Sequence, residues 1–309
     1  MKTPAKNMIT KLAALAGLCL LALPVSATLI AYESFDGVSN SFLNGQETDS
    51  TIGFAGSETW SGTSSTSVRG YNASTAGLTY QNLVTSGGSA EGYRTTTFND
   101  TSTGTVTLTS STPLTNISNT ELYFSFLINA DDYVLRDGDT AAHGVTVSFI
   151  HGTSGASPNI GVFFGGTTGE LGILYRGSSN AIQMTDLSLQ AGTNLVVLGV
   201  NAHSANPNAT YSLWLNPDLS TNIASTAAIG SGDYNFDTSF GVVTGNASFG
   251  FHGWSLQQRF NGEQSVGIDE LRVGETWDSV SPIPEPSTLV LVGLSLVAAV
   301  SMKRRRGKN

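Results

Sequence analysis

The sequence predicts an all-β sandwich flanked by two terminal addresses. Three observations carry this. Glycine is abundant (35 residues) and charge is low (12 %), with Ser, Thr and Asn filling the gaps. Helix signals are almost absent between the ends. Short segments of β character recur, each bounded by Gly, Asn, Asp or Pro. Gly144 to Phe149 alternates with period two, so Val145, Val147 and Phe149 share one face. Leu122 to Ile128 is apolar at nearly every position, as a central strand covered on both sides must be. Many short strands with such turns build a sandwich or barrel, and about 250 residues is within the range of one such domain.

Taken from the N-terminus, Lys2, Lys6 and Lys11 precede an apolar run from Leu12 to Leu23, broken by Pro24 and followed by Val25-Ser26-Ala27. This charge, apolar core and small-residue order is that of a secretory signal peptide over residues 1–27, with cleavage expected between Ala27 and Thr28 by signal peptidase. Cys19 is the only cysteine and follows Leu18 rather than a small residue, which argues against a lipid anchor. The exported chain would then hold no disulfide and depend on a packed core.

The sandwich domain is expected over residues 28–275. Its strands begin at Leu29 to Asp36 and continue through Leu122–Ile128, Val145–Ile150, Ile160–Phe164, Leu171–Tyr175, Asn194–Val200, Tyr211–Leu215 and Phe249–Trp254 to Val266–Val273. Residues 101–116, rich in Thr and Ser, suit either a strand with a polar face or a mobile loop. Residues 276–283 read as a linker.

Of the 14 Lys and Arg residues, eight lie at the extreme ends, so between Lys11 and Lys303 six arginines stand against 23 carboxylates, a balance of −17. Such a body repels nucleic acid and anionic lipid and keeps an exported protein soluble.

The tail is a third kind of segment. Pro284-Glu285-Pro286 is followed by an apolar stretch at 288–302 and by a basic end at 303–309 holding Lys303, Arg304, Arg305 and Arg306. Two prolines keep the backbone around Glu285 extended. As a helix the apolar stretch is about 22 Å long, short of the roughly 30 Å hydrocarbon core. Basic side chains can snorkel to close the difference and would remain cytoplasmic. One short transmembrane helix is therefore expected.

This triplet, span and basic cluster over residues 284–309 resemble the PEP-CTERM sorting signal. The resemblance implies a Gram-negative bacterium that makes exopolysaccharide. It also implies exosortase, a membrane-embedded cysteine protease, as the processing partner. In the body, Tyr32-Glu33-Ser34-Phe35-Asp36 is similar to stretches of laminin-G-like, concanavalin A-like jelly-roll domains in PEP-CTERM proteins. So are Tyr80-Gln81-Asn82-Leu83 with Thr85-Ser86-Gly87-Gly88, and Ile268-Asp269-Glu270-Leu271-Arg272-Val273-Gly274. That resemblance implies first and last strands lying together in one sheet.

Chemical motifs are sparse. His151-Gly152-Thr153-Ser154-Gly155-Ala156-Ser157-Pro158 resembles the serine motif of subtilisin-like proteases. It falls between two strand patterns rather than opening a helix, and no partner Asp or His motif accompanies it. Jelly rolls also host glycoside hydrolases, whose retaining members need two carboxyl groups about 5–5.5 Å apart. Glu47-Thr48-Asp49 begins a laminarinase-like pattern, but Ile52 stands where the second Glu belongs. Asp269 and Glu270 are adjacent and, on a regular strand, face opposite sides. No catalytic residue is expected.

Asp131, Asp132, Asp137 and Asp139 crowd one loop and suit calcium, although solvated acidic loops have the same composition. Asp233-Tyr234-Asn235-Phe236-Asp237 has a similar spacing without the Gly a calcium loop needs. The four histidines are scattered as surface or turn residues would be. No other metal or cofactor is implied. Trp214 and Trp254 fall in strand patterns and suit the core. Trp60, among Gly and Ser, is expected as an exposed platform for a sugar ring.

The expectation is an exported protein, membrane-anchored as a precursor and then released to the cell surface or medium. Its expected role is structural or adhesive in an exopolysaccharide matrix. A lectin-like carbohydrate-binding module, with or without calcium, is the alternative. A polysaccharide-active enzyme comes third.

Overall fold

A computed structural model describes residues 28–36, 42–48, 52–54, 58–62, 69–94, 104–110, 114–117, 121–130, 144–151, 159–165, 170–176, 180–202, 209–219, 234–235, 249–259 and 265–282. The strands are β1 (Leu29–Glu33), β2 (Ser61–Gly62), β3 (Arg69–Ser74), β4 (Ser89–Arg94), β5 (Gly104–Thr109), β6 (Thr115–Ile117), β7 (Glu121–Asn129) and β8 (Gly144–His151). They continue as β9 (Asn159–Gly165), β10 (Glu170–Arg176), β11 (Asn180–Ser188), β12 (Thr193–Ala202), β13 (Ala209–Leu215), β14 (Tyr234–Asn235), β15 (Phe249–Arg259) and β16 (Ser265–Gly274). A single turn of helix, α1 (Trp277–Val280), follows.

These strands form two antiparallel sheets. The first runs β14-β13-β12-β7-β16-β4-β3, with β1 on β16; the second runs β11-β10-β9-β8-β15-β5-β2, with β6 on β15. The chain repeatedly crosses between them, giving a concanavalin A-like jelly-roll sandwich. The first and last strands pair as expected, with Tyr32 opposite Arg272 and Glu33 opposite Leu271.

Alternation explains the interior. On β7, Leu122, Phe124, Phe126 and Ile128 enter the core between the sheets, where they meet Val147, Phe149, Trp254 and Leu256 of the second sheet. The Phe124 and Phe149 rings lie 3.8 Å apart between centroids. The other face of β7 presents Ser125 and Leu127. Leu127 joins a second apolar cluster with Leu195, Val197, Tyr80, Leu83, Trp277 and Val280. The strand is apolar on both faces because both are covered. On β5, Val106 and Leu108 are buried while Thr105 and Thr107 are half-exposed. Residues 104–109 are thus a polar-faced strand rather than a loop.

The expected linker at 276–283 is corrected over its described part, 276–282. Thr276 caps α1, its hydroxyl accepting from Ser279 N at 3.3 Å while Ser279 Oγ accepts from Thr276 N at 3.3 Å. Trp277 and Val280, three apart on the helix, both point into the second cluster. Ser125 Oγ donates to the Val280 carbonyl at 2.6 Å, and Val84 N donates to the Pro282 carbonyl at 3.1 Å. A Cβ at Gly274 would run into the Ser279 hydroxyl, so the close turn from β16 into α1 requires glycine there. The Ser, Thr and Pro content that suggested a linker supplies caps and turns instead.

Phe126 is 2 % exposed. Phe126→Ala is expected to cost about 3–5 kcal/mol through lost burial and a residual cavity, read from urea unfolding of the purified chain.

Candidate functional site

β16 reads Ile-Asp-Glu-Leu-Arg-Val through its middle, and a regular strand would put Ile268 on the same face as Glu270 and Arg272. The structure avoids this with a β-bulge. Asp269 pairs with Leu127 and Arg272 with Ser125, so β16 carries one residue more than β7 between these pairs. The extra residue is Glu270, at φ 56, a left-handed conformation unusual for a side-chain-bearing residue. Ile268, Leu271 and Val273 consequently all face the core. Asp269, Glu270 and Arg272 are gathered on the outer side, where residues 78–86 cross them. Sequence spacing had put the two carboxylates on opposite faces; the bulge corrects that.

The cluster is closely bonded. Asp269 Oδ2 accepts from Leu78 N at 2.8 Å and Asp269 Oδ1 from Glu270 N at 2.7 Å. Glu270 Oε1 accepts from Ser86 N at 2.6 Å, and the Tyr32 hydroxyl donates to the same carboxylate at 2.9–3.0 Å. Arg272 Nη2 pairs with Glu270 Oε2 and also donates to the Val84 carbonyl. The Arg272 guanidinium lies 5.1 Å from the centre of the Tyr32 ring. Nearby, Glu33 accepts from Thr48 Oγ1 at 2.5 Å and from Phe35 N at 3.1 Å. Gly87, at φ 61, fills a position where a Cβ would collide with the Asp36 carboxylate.

The three stretches Tyr32–Asp36, Tyr80–Gly88 and Ile268–Gly274, far apart in sequence, therefore meet at one place. Burial pushes the Asp269 carboxyl up to about 8 against its backbone donors. Burial also raises Glu270, with Arg272 pulling it back down, and raises the Tyr32 phenol. Asp269 and Glu270 are 0 % and 1 % exposed and every carboxylate oxygen of the pair has a donor. The arrangement is a latch that pins residues 78–86 to β16, with no face open to a substrate.

The other expected site residues divide clearly. Trp60 is corrected: it is 1 % exposed and stacks on Phe35 at 5.7 Å and 28°, so it offers no platform. Its small neighbours leave room for the ring to be covered. Trp254 is fully buried and Trp214 half-buried, the latter edge-on to Trp277 at 5.6 Å. His252 is buried on β15, its Nδ1 3.2 Å from the Ser110 carbonyl, in place of a surface position. Glu47 is exposed while Thr48 is buried on Glu33. Thr28 is exposed at the edge of the sandwich, its carbonyl accepting from Glu275 N at 3.3 Å.

Asp131, Asp132, Asp137 and Asp139 lie outside the described residues, as do Ala27, Pro284, Glu285, Pro286, Lys303, Arg304, Arg305 and Arg306. The residues 152–158 that hold Ser154 are also outside them; the flanking β8 and β9 pair antiparallel. Among the described residues no three His, Cys, Asp or Glu side chains gather as a metal site, and no helix is long and apolar enough to cross a membrane. Sequence reasoning did not assign Tyr32, Ser86 or Arg272 to a site. The signal available was the conflict between alternation and charge within Ile268–Val273.

The fold and tail together define an exported jelly-roll protein that carries its own sorting address. Residues 282–306 match the PEP-CTERM protein-sorting motif, and a motif of this kind implies export and processing by exosortase. No curated protein matches the chain. Among solved structures, domain 4 of AbnA, an extracellular GH43 arabinanase from Geobacillus stearothermophilus, in complex with arabinotriose, is similar. It has 14 % identity and a TM-score of 0.42, over 81 % of this chain and 93 % of that one. A protein of unknown function from Shewanella oneidensis has 13 % identity and a TM-score of 0.39, over 92 % and 98 %. The carbohydrate recognition domain of Emp46p in metal-free form has 9 % identity and a TM-score of 0.37, over 71 % and 88 %. At such scores nothing those proteins bind or catalyse transfers to this chain.

Two outcomes follow for the latch. Arg272→Met leaves Glu270 buried without its cation and is expected to cost about 3–5 kcal/mol in chemical denaturation at neutral pH. For Asp269, the unfolded carboxyl loses its proton near its ordinary 3.8 and the folded one near 8. The unfolded state therefore binds fewer protons between those values, and the stabilising contribution present below the unfolded pKa is lost as pH rises through the folded one. The melting temperature should fall from about pH 4 to about pH 8 and change less steeply with pH in Asp269→Asn.

Proposed function

We propose that the chain is a structural or adhesive protein of an exopolysaccharide matrix, exported in membrane-anchored form and freed or sorted by removal of its tail. The observation that carries this is the sorting motif at 282–306 directly following the sandwich. The closed bonding of Asp269 and Glu270 supports a role without turnover at that pair. Export would proceed through signal peptidase, and the acidic body would stay clear of anionic lipid and nucleic acid.

A second reading, a carbohydrate-binding module, is favoured by one feature. Register aligns Ser61, Thr107, Ser255 and Ser148 in a row across the outer face of the second sheet, beside Thr105, Gln257 and Thr146. Ser148, Ser255 and Thr146 are buried, while Ser61 is exposed and Thr105, Thr107 and Gln257 are half-exposed, so hydroxyl and amide groups are available only toward the β2 and β5 end of this row. Binding on a glycan array would support this reading, and its loss on chelation would assign calcium a part in it.

The tail is tested by replacing Pro284, Glu285 and Pro286 together with Ala, which keeps the apolar stretch and the basic end. Alanine removes proline's roughly 3 kcal/mol helix penalty, and the extended recognition segment is lost. In an exosortase-bearing host the variant should accumulate in the membrane at full post-signal length. The parent should appear in outer fractions, shortened by roughly the tail's length. Identical masses and fractionation for the two would make the tail a plain anchor.

A further inference from the structure

The chain leaves the sandwich through a docked segment. Trp277, Ser279, Val280 and Ser281 are each at most 7 % exposed. The Trp277 ring is held edge-on by Tyr123 at 6.1 Å and by Trp214 at 5.6 Å. The carbonyls of Val280 and Pro282 accept from Ser125 Oγ and Val84 N. Val84 is itself fixed, since its carbonyl accepts from Arg272, which pairs with Glu270. A chain of bonds thus runs from the β16 bulge through residue 84 to Pro282. Only Ile283 separates that anchored residue from Pro284.

A protease binds its substrate as an extended strand with several residues on each side of the bond cut. Residues 276–281 can reach that form only if α1 opens and its two aromatic neighbours are exposed, which requires local unfolding. We propose that the docked segment sets the upstream limit of tail processing. In the folded protein the bonds from Thr276 to Pro282 are closed to a membrane-face protease, and the mature C-terminus falls at or beyond Pro282. A chain with α1 undocked is trimmed further back. This rests on the tail being a sorting signal, and it adds where the folded domain lets the cut fall.

The experiment uses the full chain in an exosortase-bearing host, with intact mass and C-terminal peptide identification. The parent, Ser125→Ala and Val280→Ala are compared, each melted beside the parent to show that the sandwich persists. The expected result is a parent C-terminus at or beyond Pro282 and additional shorter ends in the variants. A second readout does not involve exosortase. Chymotrypsin is added to the purified full-length chain in detergent, with Trp277 as the reporter bond. Cutting after Trp277 should be at least about tenfold faster in Val280→Ala than in the parent, as its opening equilibrium shifts. Ser125→Ala, the milder change, should fall between the two. Parent ends upstream of Pro282, or equal chymotrypsin rates in folded parent and variants, would overturn the inference. An uncut tail with Trp277 protected would instead sink the sorting reading and, with it, this limit on processing.

Discussion

The bulge at Glu270 is the constraint on which this sandwich depends. β16 lies at the middle of its sheet, bonded to β7, β4 and β1, so its inner face must be apolar. Its sequence places two acids and an arginine within four residues. One extra residue in the strand reconciles the two demands. It turns Ile268, Leu271 and Val273 inward and sends the charges outward. Outward, the charges are still out of water, and a buried charge without partners is severely unfavourable. The covering segment supplies backbone donors from Leu78 and Ser86, and β1 supplies the Tyr32 hydroxyl. The bulge and the segment that covers it therefore require one another.

That covering segment explains why the first sheet is apolar on both faces. Leu127, Leu195 and Val197 would be exposed without Tyr80, Leu83 and α1 lying over them. Burial alone does not define how such a segment sits, because apolar contacts are non-directional. The carboxylate acceptors do, since each bonds one particular backbone N–H. Gln81 at φ 45 and Gly87 at φ 61 give the segment the turns it needs to return to β4.

Much of this was legible in the sequence, and the failures share a cause. β8 shows its period-two alternation and β7 its apolar run, β12 and β16 fall among the recurring strand segments, and the pairing of β1 with β16 follows from the resemblance. β3 and β4 show no such signal. Among the described side chains, Arg69–Ser74 and Ser89–Arg94 bury Tyr71, Ala73, Ser89 and Ala90, and their glycines and polar residues give no apolar alternation. β11 was hidden by Gln183, Thr185 and Asp186 among its apolar residues. Small neighbours do not mean exposure at Trp60; here they leave room for Phe35 to stack on it. Of the three stretches that meet at the bulge, the first and last strands are expected together, but the crossing of Tyr80–Gly88 over them is not. Strict alternation separates Asp269 from Glu270 and Arg272, and a bulge cannot be read from a rule that assumes no bulge.

The choice of arginine at residue 272 follows from the same geometry. In a body of six cations and 23 carboxylates, a buried cation reduces repulsion only if it can satisfy acceptors in more than one direction. Arg272 Nη2 serves the Glu270 carboxylate and the Val84 carbonyl together, while the planar group lies near the Tyr32 ring. A lysine ammonium is a compact, strongly hydrated charge that does not stack on an aromatic face as a planar guanidinium does, and its desolvation would be harder to offset. Because Val84 also donates to the Pro282 carbonyl, the bulge, its cover and the exit of the chain toward the sorting motif form one mechanical unit. Loosening any of the three removes support from the others.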